Sequence, residues 1–422
     1  MTGLDEQLPH TMAFPHALGT GLIVQSALDM GMSIDVPPVL RDDDANVGSR
    51  ANTNVSNPVT PGNSAFFGTD DADDRILLYD AIDILIDTYE SALSRFRPDS
   101  PVSRMRGAEH GGTFVFPDWC GPLFDLYDRL FEATGGAIDP CVGEDLIRLG
   151  YDSSYSFTVS PDAIEPGKDG DSDKLGTPDA SGNPAALSVS AYGQSVTWHL
   201  GAIHGRATWE TDVERHGTTL VTRRPVALDF GACGKGYLVD LIAGMLREHT
   251  DAYVIDAGGD LLIRTVGYAS NGHMTTCDVA GTPATHDEPA ATTVTIALED
   301  PADPSRAAGT ATMSNDAFCA SAPSRRHWGE AAGHQLHHLL NAIDGLPVDD
   351  VAATWVAVRP DHRFPTATAD GLATATADGL ATALFITPAE QLRHHFDFQC
   401  AILNADRTAA QSPDFPGGFF MH

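Results

Sequence analysis

The stretch Ala227-Leu228-Asp229-Phe230-Gly231-Ala232-Cys233-Gly234-Lys235-Gly236-Tyr237-Leu238-Val239-Asp240 decides how this chain is read. Val226 to Phe230 is a short apolar run that reads as a strand. Gly231, Gly234 and Gly236 bracket a small turn, where backbone can approach a ligand closely. From Tyr237 the pattern is helical, with Leu238, Leu241, Ile242, Met245 and Leu246 on one apolar face. Lys235 therefore stands where a strand becomes a helix, and free N–H groups beside a lysine suit a phosphate. Ala252 to Asp256 reads as the next strand, and Gly258-Gly259-Asp260 turns it into Leu261-Leu262-Ile263. A P-loop is excluded, because only two residues separate Gly231 from Gly234 and Gly236 replaces the required hydroxyl residue. No Gly-x-Gly-x-x-Gly follows a strand here either. On shape alone, a phosphate turn and an ordinary glycine-rich turn stay equally open.

Composition sets outer limits. The chain has 422 residues and a formal net charge of −33, which repels nucleic acid and anionic membranes. Runs such as Asp42-Asp43-Asp44 read as solvated surface. Six cysteines lie far apart with no Cys-x-x-Cys, so neither a zinc knuckle nor a redox pair is indicated. They read as buried thiols; Cys233, inside the central turn, has no base near it in sequence. Residues 1–15 carry no basic and long apolar leader and no cysteine for lipid attachment, and no run is long enough for a membrane span. The expectation is a cytoplasmic protein.

Residues 1–11 read as a flexible amino terminus, 12–400 as one domain and 401–422 as a carboxy-terminal tail. Loop-rich insertions are expected near 33–75, 160–187 and 265–293, where Asp, Asn, Pro, Ser and Gly dominate. Ile76 to Phe96 reads as a helix burying Leu78, Ile82, Leu85, Ile86, Tyr89 and Leu93. Phe116 to Gly135 reads as another, with Leu123, Leu126, Tyr127, Leu130 and Phe131 inside. His334, His337 and His338 cluster without the His-Glu-x-x-His or cysteine partners that zinc would want.

Seven segments, in one chain order, resemble the ApbE-like flavin transferases (FAD:protein FMN transferases). Asp229 to Tyr237 resembles their Asp-x-Gly-x-x-x-Lys-Gly-Tyr, and Gly258-Gly259-Asp260 their Gly-Gly-Asp. Ala17-Leu18-Gly19-Thr20 is similar to Met-Gly-Thr, with Leu18 in place of methionine. Ser94 to Ser103 is similar to a serine-aromatic-Asp-Ser segment, and Gly136-Ala137-Ile138-Asp139-Pro140 to Gly-Ala-Phe-Asp-Pro. His338-Leu339-Leu340-Asn341 with Gly345 and Pro347 is similar to His-Ile-Ile-Asp-Pro…Gly-x-Pro, with Asn341-Ala342 for Asp-Pro. Asp378 to Leu384 is similar to Asp-Ala-Leu-Ala-Thr-Ala-Leu.

The resemblance implies an α+β fold: one two-lobed unit with mixed or antiparallel sheets, packed helices and a ligand cleft between the lobes. It implies Mg²⁺-dependent transfer of FMN from FAD to a Thr or Ser hydroxyl of an acceptor flavoprotein, with AMP leaving. It further implies Mg²⁺ on Asp378, Thr382 and the main-chain carbonyl of Ala232, and His338 as the base. FAD contacts would come from Leu18, Phe96, Ala137, Ile138, Asp139, Asp229, Lys235 and Ala381. An imidazole near its ordinary pKa can take a proton at neutral pH. Two other readings stand beside this one: a Mg²⁺-dependent FAD pyrophosphatase that yields FMN and AMP, and a non-catalytic FAD-binding protein.

Residues 368–375 and 376–383 are one octapeptide, Thr-Ala-Asp-Gly-Leu-Ala-Thr-Ala, written twice. In each copy Asp and Thr stand at i and i+4, on one helical face, a reasonable pair of oxygen ligands for a hard cation. A capping Asp with a surface Thr is the commoner use of that spacing. Eight residues of helix advance roughly 12 Å and turn the face by about 80°, so one copy at most completes a given site. The second copy runs into Leu384-Phe385-Ile386, a packing face, which favours Asp378 and Thr382 over Asp370 and Thr374.

Overall fold

Eight antiparallel strands stand side by side in the order in which the chain supplies them. They are β1 (His10–Phe14), β2 (Leu22–Ser26), β3 (Tyr253–Asp256), β4 (Leu261–Arg264), β5 (Ala317–Ser321), β6 (Val351–Val358), β7 (Gln399–Asn404) and β8 (Ala409–Gln411). This computed structural model describes residues 4–29, 31–41, 75–166, 188–189, 195–265, 293–329, 335–359 and 372–420. The long excursion between β2 and β3 returns to the strand it left, pairing Tyr253 with Ser26 and Asp256 with Ile23.

Side chains alternate between the two faces of a strand. Tyr253, Ile255, Cys319 and Val356 enter the larger core, while Val254, Phe318 and Trp355 enter a second one. The second core is closed by Leu298, Ala311 and Met313 from a three-stranded sheet of Val294–Asp300, Asp303–Met313 and Gly417–Phe419. The larger core takes in the four long helices α1 (Leu78–Leu93), α2 (Gly121–Thr134), α3 (Gly234–Arg247) and α4 (Ala373–Ala383). The six positions expected to be inside α1 are all buried. Helix α2 ends at Gly135 with φ 62°, a left-handed stop that glycine takes without strain. A third cluster, including Leu146, Tyr151, Trp328 and Leu340, forms a separate smaller core. The expected mix of helices and antiparallel sheets is what the chain adopts.

Three expectations are corrected. Val226 to Phe230 forms no strand among the described residues; Val226 and Asp229 donate to the Met105 and Pro140 carbonyls at 3.3 and 2.7 Å. Its apolar run reflects burial among helices, which an apolar pattern cannot tell from sheet pairing. The following helix begins at Gly234, so Lys235 lies in its first turn rather than before it. The supposed tail from 401 supplies most of β7, all of β8 and the strand Gly417–Phe419. Its strands are short and interrupted by polar turns, and that hid them. Much of the expected insertions, including 42–74, 167–187 and 266–292, lies outside the described residues, as do Asp370 and His334.

Candidate functional site

Helices α3 and α4 cross against each other on one face of the eight-stranded sheet. They approach closely because glycines meet there. A Cβ on Gly236 would stand 2.4 Å from the Thr374 carbonyl oxygen, and one on Gly379 3.1 Å from Cys233 Sγ. The pairing is antiparallel. The Asp240 carboxylate accepts from the Thr374 and Ala375 N–H groups at 3.1 and 2.8 Å, capping the start of α4. One turn on, Asp378 accepts from Gly236 N at 3.1 Å. Thr382 lies one further turn along α4.

Lys235 lies between two carboxylates. Its Nζ is 2.6 Å from Asp260 Oδ2 and 3.0 Å from Asp378 Oδ1, and its side chain is 29% exposed. Burial alone would push the ammonium down, but Asp260 and Asp378 outweigh it and hold it above its ordinary value. Burial, reinforced by Asp260 and opposed by Lys235, pushes the Asp378 carboxyl above its ordinary value. Lys235 was expected at an open helix start, free for a phosphate; it is instead ion-paired and partly covered. Asp260 follows Gly258 (φ 67°) and Gly259 (φ 106°), a turn that carries it back beneath Lys235. The Gly258 turn meets the β1–β2 turn, where a Cβ on Gly258 would touch Thr20 Oγ1 at 3.0 Å. Leu18 sits in that second turn with φ 53° and donates its N–H to Glu90 Oε1 at 2.7 Å.

A chain of contacts joins this centre's neighbourhood to the smaller core. Asp229 Oδ2 pairs with Arg95 Nε at 2.5 Å, and Oδ1 accepts from Gly231 N at 2.7 Å. The Arg95 guanidinium lies 4.2 Å from the centroid of the Phe96 ring, and Phe96 stacks on Tyr155 at 5.1 Å. Arg95 Nη1 donates to the Tyr151 carbonyl, and Arg326 Nη1 to the Tyr151 hydroxyl. His338 Nδ1 is 3.4 Å from the Arg326 carbonyl. Burial first, then Arg326, pushes His338 down to about 4, so the imidazole is neutral at pH 7. This corrects the expectation of an ordinary histidine pKa.

Two other expected contacts look different in three dimensions. Ala137, Ile138 and Asp139 are buried, and the Asp139 carboxylate accepts from Cys141 N at 2.7 Å beside Arg206 Nη1 at 3.6 Å. The same segment receives Ala342 N on the Ala137 carbonyl, which brings the His338 and Gly136 segments together. Asn341, standing in place of Asp, accepts from Ile343 N at 3.0 Å and so turns the chain itself. Ala381 is fully buried, and its carbonyl accepts from Thr354 Oγ1 at 2.6 Å, so it faces the sheet rather than an opening. Cys233 is buried, and burial pushes its thiol well up, which removes it as a nucleophile.

Sequence reading gave no role to Asp260, Arg95 or Asp240. Asp260 stood inside the quoted Gly-Gly-Asp, the one signal that could have flagged it. Among the described residues no three His, Cys, Asp or Glu side chains gather to hold a metal. A carboxylate, a threonine hydroxyl and a main-chain carbonyl are all hard oxygen donors, and they fit Mg²⁺ rather than a softer metal.

The fold defines a structural class. The structure superposes on "Flavin Transferase ApbE from Vibrio cholerae" with TM-score 0.56 and 16% identity, covering 96% of this chain and 97% of that one. The apo flavinyl transferase ApbE of Pseudomonas stutzeri superposes with TM-score 0.55 and 16% identity, over 96% and 94% of the two chains. The chain belongs to the ApbE family, whose sequence model matches residues 64–402. It is 24% identical over 269 residues to a FAD:protein FMN transferase of Treponema pallidum (strain Nichols), an alignment taking in 62% of this chain and 61% of that relative. No helix of the described residues is long and apolar enough to cross a membrane.

Proposed function

We propose that the chain transfers FMN from FAD to a Thr or Ser hydroxyl of an acceptor flavoprotein, with Mg²⁺ bound and AMP released. The observation that carries this reading is the α3–α4 crossing, where a lysine and a buried carboxylate meet one helical turn from a threonine. Asp378, Thr382 and the Ala232 carbonyl would hold the Mg²⁺. Bound there, it supplies positive charge against the pyrophosphate, which a protein at −33 would otherwise repel. Lys235 adds a second positive point at the phosphates. Asp229, fixed by Arg95 and Gly231 N, orients the nucleotide. Leu18, Phe96 and the main chain of Ala137, Ile138 and Asp139 line the flavin or adenine side, while Ala381 backs the metal ligands from the core.

The acceptor oxygen attacks the FMN phosphorus, the bridging P–O bond breaks, and its electron pair leaves with AMP. His338, neutral at pH 7, takes the hydroxyl proton at its free ring nitrogen. The test is to incubate the protein with FAD, Mg²⁺ and a candidate acceptor, then weigh the acceptor. The expected result is a mass gain of one FMN less water, abolished by chelator and restored by Mg²⁺. FAD split to FMN and AMP with the acceptor unchanged would mean a pyrophosphatase. FAD bound without turnover would mean a binding protein.

A further inference from the structure

Asp260 shares the Lys235 ammonium with Asp378 in a largely buried place, and it is the carboxylate the proposed reaction leaves unused. Asp260 is 1% exposed, and among the described residues neither of its oxygens accepts a main-chain N–H. The Lys235 ammonium, at 2.6 Å, is its one charged partner among those residues. The Cys319 thiol also lies against Asp260, but a buried carboxylate whose one charged partner is a lysine is costly to keep. The lysine is meanwhile shared with Asp378, the carboxylate that a cation would need. A cation arriving at Asp378 displaces Lys235 from it, and an ammonium with no second partner in that place would resist displacement.

We propose that Asp260 is a positioning residue: it retains Lys235 when a divalent cation takes Asp378, so that the lysine moves aside without losing its partner. The proposal rests on the reading of Asp378 as a metal ligand. The geometry suits the exchange, since Lys235 bridges the two carboxylates and is bound to neither by a rigid fork. Lysine offers three rotatable donors on a flexible stem, so it can swing wholly to Asp260 over a short distance.

The test reads Mn²⁺ affinity by calorimetry on the protein without FAD, after thermal unfolding has checked that each variant folds. Wild type binds Mn²⁺, and Asp378→Asn loses the binding. Asp260→Asn binds about 10- to 100-fold more weakly, the usual effect of removing a group that orients a ligand. Lys235→Met binds more tightly than wild type, because the competing ammonium is gone. In the Lys235→Met background, adding Asp260→Asn costs less than about threefold, since a partner of the lysine has nothing left to do. Lys235→Gln serves the same comparison if Lys235→Met does not fold. Wild-type affinity in Asp260→Asn overturns the proposal, as does an equal penalty with and without Lys235. Wild type that binds no Mn²⁺, or Asp378→Asn that still binds it, overturns the metal reading and this proposal with it.

Discussion

Among the described residues, two places hold one cation between two buried carboxylates, and they are finished differently. Around Arg206 the three side chains are sealed: Arg206 is 1% exposed, Asp139 2% and Asp145 0%. Main-chain groups complete that network, with Cys141 N and Trp209 N on Asp139, Gly201 N on Asp145, and the guanidinium donating to the Ala207 and Ala342 carbonyls. Around Lys235 the cation is 29% exposed, and among the described residues Asp260 receives no main-chain donor. The charge count is the same in both. Main-chain anchoring separates a strut from a site, because a network held by several main-chain groups has one arrangement and one with fewer has several. The choice of cation follows suit: a planar guanidinium fixes two carboxylates in place, whereas an ammonium can change partners.

The largest effect that tests this contrast is on stability. Arg206→Leu leaves Asp139 and Asp145 buried without their cation, at a cost of about 3–5 kcal/mol. Denaturant unfolding at pH 7 without FAD or metal measures it. Lys235→Met should cost clearly less, since solvent reaches that centre. Equal losses would erase the distinction between strut and site.

A second test concerns His338, whose ring is held against Arg326 near the smaller core. Its folded pKa is about 4, while the unfolded ring titrates near its ordinary value of about 6.5. Between those values the unfolded state binds more protons, so stability rises with pH. The His338 contribution is complete above about pH 6.5 and is lost as pH falls through about 4. Its size is on the order of 2 kcal/mol, because the ring keeps some contact with solvent. Unfolding of wild type and His338→Phe from about pH 4.5 to about 7.5 reads it, with the variant expected to flatten the wild-type slope. The acid limb of kcat/KM should likewise fall near pH 4 rather than 6.5. Identical slopes in both proteins would put the imidazole in an ordinary, solvated environment.

Much of this was legible in the chain. The faces of α1 and α2 followed from periodicity alone, because Leu78, Ile82, Leu85 and Ile86, or Leu123, Leu126 and Leu130, repeat at helical spacing. The glycines around Lys235 read as room for a ligand, whereas Gly236 makes room for the Thr374 carbonyl of α4. What sequence could not supply was the partner across the crossing. Asp260 and Asp378 meet at Lys235 from positions far apart in the chain, and nothing local marks a carboxylate as buried. The Arg206 network was missed for the same reason, since its members come from three segments. Val226 to Phe230 misled because burial among helices and burial in a sheet leave the same apolar run.

The smallest expected effect comes from the duplicated octapeptide, and it contrasts two regions of identical sequence. All eight residues of the second copy, 376–383, lie within α4, whereas only the last three of the first copy do. The register of α4 is fixed twice by α3: Asp240 caps Thr374 and Ala375, and Asp378 meets Gly236 and Lys235. Gly379 adds a third constraint, since a side chain there would strike Leu130 and Cys233. Thr374, the first copy's counterpart of Thr382, is fully buried, with its N–H spent on the Asp240 cap. A cation ligand cannot be drawn from it without opening the helix crossing. Asp370 lies outside the described residues, so its part is a matter for experiment. Asp370→Ala should change FAD turnover by less than about twofold, while Asp378→Ala should lower it by roughly 10²-fold or more, as expected when a hard cation loses its one carboxylate. Turnover with saturating Mg²⁺ measures both. A large loss in Asp370→Ala with Asp378→Ala active would move the metal to the first copy, and the packing that fixes α4 would then serve the fold alone.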